Sequence, residues 1–195
     1  TNWAMRNVVQ AWLDKHPGLT PDGWDSRELL EPSKDDGTFD DKGVLRAWRA
    51  MCPELQERWP EAAQPEDWEG VTIENGRVVK LKLENFGLTG AVPADIGQLT
   101  SLRELYLIGN RLTSVPAEIG QLTSLEGLDL RSNQLTSVPA EIGQLTSLKL
   151  LSLGGNQLTS VPAEIGQLAS LEGLYLFGNQ LTSVPAEIGQ LTSLT

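Results

Sequence analysis

Residues 112–125 read LTSVPAEIGQLTSL, and the same letters return at residues 135–148 and 181–194. Another copy, at residues 158–171, differs only by Ala169 in place of a threonine. A new copy starts every 23 residues, so the chain repeats one structural unit. A unit of this length cannot bury its apolar side alone, and such units stack into a solenoid with one shared core.

The spacing of the leucines predicts the shape of one coil. The frame is LxxLxLxxNxL, as in the segment from Leu102 to Leu112. An LxL segment forms a strand with both leucines on one side, and Val115, Ile119 and Leu122 return the chain across the same interior. We therefore expect one short strand per coil, and a parallel sheet of five such strands on the concave side of a horseshoe.

The asparagine of each frame is predicted to be structural. Its side-chain amide can donate to and accept from backbone groups at the bend after the strand, and so join neighbouring coils. These residues are Asn110, Asn133, Asn156 and Asn179.

The composition divides the chain at about residue 67. All six tryptophans lie within the first 68 residues. Residues 1–67 are predicted to form a Trp-rich helical N-terminal cap domain with helices over 3–15, 41–51 and 54–59, and residues 68–195 to form the solenoid. Asn75-Gly76 between two strand-like runs predicts a β-hairpin cap over 68–83, in which 71–73 pairs with 78–83.

Particular runs resemble known repeat proteins. WEGVTI at 68–73, GRVVKLKL at 76–83 and LTGAVPADIG at 88–97 resemble the N-terminal cap and first repeat of plant-type leucine-rich repeat proteins. The later repeats resemble the 23-residue repeats of the intracellular Ras-group leucine-rich repeat proteins, which are signalling scaffolds. The resemblance implies an α/β leucine-rich repeat solenoid. Ile73 stands where the plant-type cap has a cysteine, and this difference favours an intracellular relative.

Between the fixed letters, the residues that differ are those of the strands that point away from the core. The exposed letters of the convex side, such as Thr113 and Glu118, stay the same from copy to copy. Variation concentrated on the strands predicts a concave surface that binds a partner, with the aromatic residues as anchors. The predicted binding residues are Lys80, Lys82, Glu104, Tyr106, Ile108, Asp129, Arg131, Leu150, Ser152, Tyr175 and Phe177.

Charge and composition exclude several classes of function. The net charge of −11 disfavours nucleic acid and membrane surfaces as partners. The single cysteine, Cys52, allows no disulfide within the chain, which favours the cytoplasm. The single histidine, His16, has no nucleophile near it in the sequence, and no metal-ligand or phosphate-binding pattern occurs, so we expect no enzyme activity, no cofactor and no metal site.

Other interpretations stay open. A row of threonines at 113, 136, 159 and 182 suggests binding to ice or another flat surface, as in a related plant-type architecture. The chain could also be the targeting fragment of a larger signalling enzyme. The sequence ends within the LTSLT run without a capping helix, which predicts an uncapped C-terminal end and a homodimer formed through it.

Overall fold

Stacked coils with a parallel sheet on one side make up most of the computed structural model, which describes residues 40–194. The main sheet has six strands, in the order β1-β2-β4-β6-β7-β8. From β2 onwards every pairing in it is parallel, so the predicted solenoid and its parallel sheet are confirmed. The strands are β1 (Val71–Glu74), β2 (Arg77–Lys82), β3 (Thr89–Ala91), β4 (Glu104–Tyr106), β5 (Arg111–Ser114), β6 (Gly127–Asp129), β7 (Leu150–Ser152) and β8 (Gly173–Tyr175).

The hairpin at the start of the sheet also forms. β1 pairs antiparallel with β2, from Val71 opposite Leu81 to Glu74 opposite Arg77. Asn75 and Gly76 occupy the turn with φ values of 51° and 77°, the left-handed conformation that asparagine and glycine tolerate best. The hairpin thereby covers the edge of the first coil that would otherwise be unpaired.

On the convex side the chain returns through short 3-10 helices. Each follows a proline that holds the extended conformation, for example Pro116 with φ −76° and ψ 158°. Leu105, Leu107 and Ile119 of the second coil are buried in a core that continues through the neighbouring coils. The helices span Ala94–Gln98, Ala117–Gln121, Ala140–Gln144, Ala163–Gln167 and Ala186–Gln190.

Within residues 40–194, two α-helices precede the hairpin, α1 over Asp41–Met51 and α2 over Pro53–Arg58. The first matches its predicted range, and the second begins one residue earlier than predicted and ends one residue earlier. Asp40 caps α1 by accepting a hydrogen bond from the Gly43 backbone N–H at 2.8 Å. The helix predicted over 3–15 lies outside the described residues.

Residues from both helices share the core of the first coil. Trp48 and Trp59 are buried in the same cluster as Leu81 and Leu83. The carboxylate of Asp41, which is also buried, accepts hydrogen bonds from the Val78 N–H at 2.7 Å and from Arg77 Nε at 3.0 Å. The described part of the helical segment thus packs directly on the solenoid, and a separate domain ending at residue 67 stays a prediction.

Candidate binding face

The concave face consists of the outward-pointing strand residues of five coils in register. Lys80 pairs with Glu104, which pairs with Gly127, and the row continues through Leu150 to Gly173. The next row runs through Lys82, Tyr106, Asp129, Ser152 and Tyr175. A third row follows each strand and contains Glu84, Ile108, Arg131, Gly154 and Phe177.

Ion pairs occupy the first two coils of the concave face. Lys80 Nζ lies 2.6 Å from one oxygen of Glu104, and Lys82 Nζ lies 3.1 Å from the other. Lys82 also lies over the ring of Tyr106, 5.0 Å from its centre. The hydrogen bond from Lys80, followed by the influence of Lys82, lowers the pKa of Glu104. One carboxylate is therefore shared between both lysines.

Asp129 and Arg131 form an ion pair at the centre of the concave face. Arg131 donates from Nε to Asp129 Oδ1 at 2.9 Å and from Nη2 to Oδ2 at 2.7 Å. The Arg131 backbone N–H also donates to Oδ1, at 3.1 Å. The hydrogen bond to Asp129 raises the pKa of Arg131. This bidentate geometry holds the guanidinium against the sheet.

The last two coils present uncharged side chains on the concave face. Tyr175 is 49% exposed and Phe177 is 63% exposed, whereas Leu150 is half-buried. Concave positions in these coils are otherwise taken by Ser152, Gly154 and Gly173. Large exposed aromatic side chains of this kind are typical anchors of protein interfaces.

Two of the predicted binding residues lie on the concave side of the sheet but are buried. Asp129 is only 4% exposed and Ser152 only 2%. Asp129 is covered because Arg131 folds back onto it. Ser152 lies between Asp129 and Tyr175 in its row. Whether any of the predicted residues contacts a partner stays a prediction.

Glycines on the concave face accommodate their aromatic neighbours, a relationship that the sequence analysis missed. A methyl group at Gly154 would lie 2.8 Å from Cζ of Phe177, and one at Gly127 would lie 3.1 Å from the hydroxyl of Tyr106. Each ring thus leans over a glycine of the neighbouring coil. Phe177 and Gly154 share a row, whereas Tyr106 and Gly127 lie in adjacent rows, so the signal in the sequence is an aromatic residue one coil away from a glycine.

The four frame asparagines join adjacent coils. Asn133 donates from Nδ2 to the carbonyl oxygens of Leu107 at 2.9 Å and Leu130 at 3.0 Å, and its Oδ1 accepts from the Leu112 N–H at 3.0 Å. Asn110, Asn156 and Asn179 make the equivalent bonds. Their amides satisfy backbone groups that would otherwise be buried without partners.

The last coil differs from the others in exposure. Val184 is 54% exposed, whereas Val115, Val138 and Val161 at the same repeat position are buried. Leu194 is also exposed. The last coil therefore carries exposed apolar side chains that are buried at the same positions in other coils.

Neither a membrane span nor a metal site is found in the part of the chain that the structure describes. No helix within residues 40–194 is both long and apolar enough to cross a membrane. The same residues contain no group of three or more histidine, cysteine, aspartate or glutamate side chains that could hold a metal ion. His16 lies outside the described residues.

Comparison with known proteins identifies the family. The family described as "Leucine-rich repeat region" matches residues 74–195, which is more than half of the chain. The chain therefore belongs to the leucine-rich repeat proteins, and its hairpin cap and first repeat place it with those of plant type.

Several plant proteins of known structure share the fold. The BIR3–SERK2 complex from Arabidopsis thaliana aligns with a TM-score of 0.66 and 30% identity, over 75% of this chain and 86% of that one. The ectodomain of the Arabidopsis receptor kinase SOBIR1 aligns with a TM-score of 0.68 and 29% identity, over 81% and 90%. A plant ice-binding protein aligns with a TM-score of 0.66 and 27% identity, over 79% and 53%.

The chain is short beside its curated relatives. It is 35% identical over 108 residues to the LRR receptor-like serine/threonine-protein kinase FEI 2 of Arabidopsis thaliana, spanning 54% of this chain but only 16% of that protein. The predicted intracellular location gains no support from these comparisons, because the similar proteins include receptor ectodomains.

Proposed function

We propose that this chain is a protein-binding module that holds its partner on the concave face. The single observation that carries the proposal is the exposure of Tyr175 and Phe177 on a rigid sheet, next to the ordered Asp129–Arg131 pair. Because aromatic side chains contribute much of the energy at protein interfaces, these two residues are the anchors of the proposed site. The assembly of BIR3 with SERK2 gives a precedent among the similar folds.

The class of partner follows from charge. A chain with a net charge of −11 repels phosphate backbones and anionic lipid, so the partner is a protein and neither a nucleic acid nor a membrane. Binding without catalysis accounts for the chemistry of the concave face, where Glu104 is paired with lysine and Asp129 with arginine. We place the chain in the cytoplasm because Cys52 has no cysteine to pair with and Ile73 replaces the cap cysteine.

The test is affinity capture from a lysate of the source cell, followed by mass spectrometry. The parent chain is compared with a Tyr175→Ser/Phe177→Ser variant and with a Met51→Ser control, which removes an exposed apolar side chain outside the concave face. Melting temperatures establish that all three chains are folded. Proteins retained by the parent and the control but lost by the double variant support the proposal, and equal capture by all three would refute it.

A homodimer through the apolar surface of the last coil is a separate part of the proposal. Val184 and Leu194 are exposed there, and the outer edge of β8 pairs with no described strand. Sedimentation of the parent chain and of a Val184→Glu variant tests it. A dimer that dissociates in the variant supports the contact, whereas a parent that is monomeric at high concentration excludes it.

Ice or flat-surface binding is the alternative function, favoured by the convex side. Thr113, Thr136, Thr159 and Thr182 are all exposed in successive coils, and the plant ice-binding protein shares the fold. The measurement is thermal hysteresis of the parent and of a Thr136→Lys/Thr159→Lys variant. Hysteresis that the variant lacks would establish this function, and its absence in the parent would dismiss it.

A further inference from the structure

The acidic charge of the chain does not extend to the concave face. That face carries Lys80, Lys82 and Arg131 against Glu84, Glu104 and Asp129, so its formal charge is zero although the whole chain carries −11. Both lysines contact Glu104, and Arg131 contacts Asp129 and also lies within the electrostatic influence of Glu84. The carboxylates of Glu104 and Asp129 are thus neutralised before any partner arrives, whereas Glu84 is exposed at the first coil.

The fourth and fifth coils present no ionisable side chain on the concave face except the phenol of Tyr175. Their residues are Leu150, Ser152, Gly154, Gly173, Tyr175 and Phe177. Lys149 and Glu172 lie just outside, one residue before the strands, and Lys149 pairs with Glu126 at 2.6 Å. An anionic or cationic group placed on these coils would lose its hydration without gaining an opposite charge on the concave face.

The hydrogen-bonding side chains at this end of the concave face are the hydroxyls of Ser152 and Tyr175, each of which can donate one hydrogen bond and can also accept. The Ser152 hydroxyl forms no hydrogen bond with any residue in the range 40–194, although the residue is only 2% exposed. Asp129 already accepts four contacts from Arg131 within 3.1 Å, so it offers little further acceptor capacity. A group that fits here is an uncharged acceptor, of which the peptide carbonyl is the commonest in a protein partner.

We propose that the segment recognised by the concave face is an uncharged stretch of polypeptide. An aliphatic or aromatic side chain of that stretch packs on Leu150, Tyr175 and Phe177, and a main-chain carbonyl accepts a hydrogen bond from Ser152. This inference rests on the proposed binding function. It runs against what the net charge alone would imply, namely a basic partner drawn to an acidic module.

The experiment selects a displayed library of random linear dodecapeptides on the intact chain and measures the affinity of the enriched peptides by calorimetry. The expected consensus is apolar and uncharged, and the dissociation constant should change by less than about threefold between 50 and 500 mM salt, because no ion pair forms on binding. Phe177→Ser should abolish binding, and Ser152→Ala should weaken it by about fivefold, the value of one hydrogen bond.

Controls separate failure of this inference from failure of the proposed function. Lys149 lies just outside the concave face, and Lys149→Gln should leave the affinity unchanged. A consensus rich in lysine or arginine, with binding that weakens steeply in salt but still requires Phe177, would overturn the uncharged ligand and keep the binding face. Peptides whose affinity ignores both Phe177 and Ser152 would overturn the binding face itself.

Discussion

The ring of Phe177 lies over Gly154, so close that a methyl group on the glycine would meet Cζ at 2.8 Å. The two residues belong to adjacent coils and lie in the same row of the concave face. Variation along a row is therefore coupled, because the size of one residue sets the space for its neighbour. Part of the sequence variation on the concave face serves this packing between coils.

Gly154→Ala tests that coupling. The added methyl group should push the exposed ring of Phe177 outward at little cost, so the free energy of unfolding should fall by less than about 1 kcal/mol. Binding through Phe177 should weaken because its ring loses its fixed position. Chemical denaturation and calorimetry with an enriched peptide measure the two effects, and unchanged binding would show that the position of the ring is immaterial.

On the convex side, glycine allows the 3-10 helices of adjacent coils to approach closely. A methyl group at Gly143 would lie 2.5 Å from the backbone oxygen of Glu164, whereas one at Gly189 would have no neighbour within 4 Å. We expect Gly143→Ala to destabilise the chain by about 2 kcal/mol, since backbone must move. Gly189→Ala is the matched control and should change the denaturation midpoint very little. Equal losses would contradict the close approach.

Ser132 has a backbone conformation that serine adopts poorly. Its φ is 56°, and the equivalent positions in three other coils are Gly109, Gly155 and Gly178, each with positive φ. Ser132→Gly should raise the free energy of unfolding by about 0.5–1 kcal/mol, and Gly155→Ser should lower it by a similar amount. Thermal melting of both variants checks the sign, and a destabilised Ser132→Gly chain would refute the argument.

The asparagine bonds between coils should contribute strongly where they are buried. Asn133→Ala leaves the Leu112 N–H without its partner, at an expected cost of about 2–3 kcal/mol. The carbonyl oxygens of Leu107 and Leu130 each lose one of two asparagine donors. Asn179 is only half-buried, so water can replace part of its bonds and Asn179→Ala should cost clearly less. Denaturant titration compares the two, and the reverse order would contradict a structural role set by burial.

Acid should weaken the ionic end of the concave face. Hydrogen bonds from Lys80 and then Lys82 lower the pKa of Glu104 in the folded chain. These ion pairs therefore stabilise the fold above the pKa that Glu104 has in the unfolded chain, and the stabilisation is lost as the pH falls through its pKa in the folded chain. Melting temperatures at about pH 6 and pH 3 bracket this range. The fall in melting temperature between these pH values should be smaller in Lys80→Gln and in Glu104→Gln than in the parent. An identical fall in all three chains would exclude a contribution of Glu104 to the acid sensitivity.

Local patterns in the sequence were enough to predict the repeated part of the fold. The leucine spacing predicts which residues enter the core, and Asn75-Gly76 predicts the hairpin, because both depend on neighbours within a few residues. The contacts of α1 with the hairpin were not predictable in the same way. The Asp41 carboxylate bonds to Val78 across 37 positions of sequence, and no local pattern specifies that partner.

The sequence predicts which residues lie on the concave face, but it predicts only part of what surrounds each of them. Strand alternation places Asp129 and Ser152 on the concave face, but it cannot tell that Arg131 folds back over the first or that the second is almost covered. Such burial depends on how long side chains lean across neighbouring strands. The exposed pair of Tyr175 and Phe177 was anticipated because both lie where the strands point outward.

The most direct measurement is methyl and aromatic NMR of the labelled chain, with and without a partner obtained by affinity capture. Binding on the concave face predicts shifts or broadening at the methyl groups of Leu150 and the ring of Phe177, whereas the methyl groups of Thr136 on the convex side and of Val115 should stay unchanged. Changes confined to Thr136 and its row, with Leu150 and Phe177 unaffected, would contradict binding through the concave face.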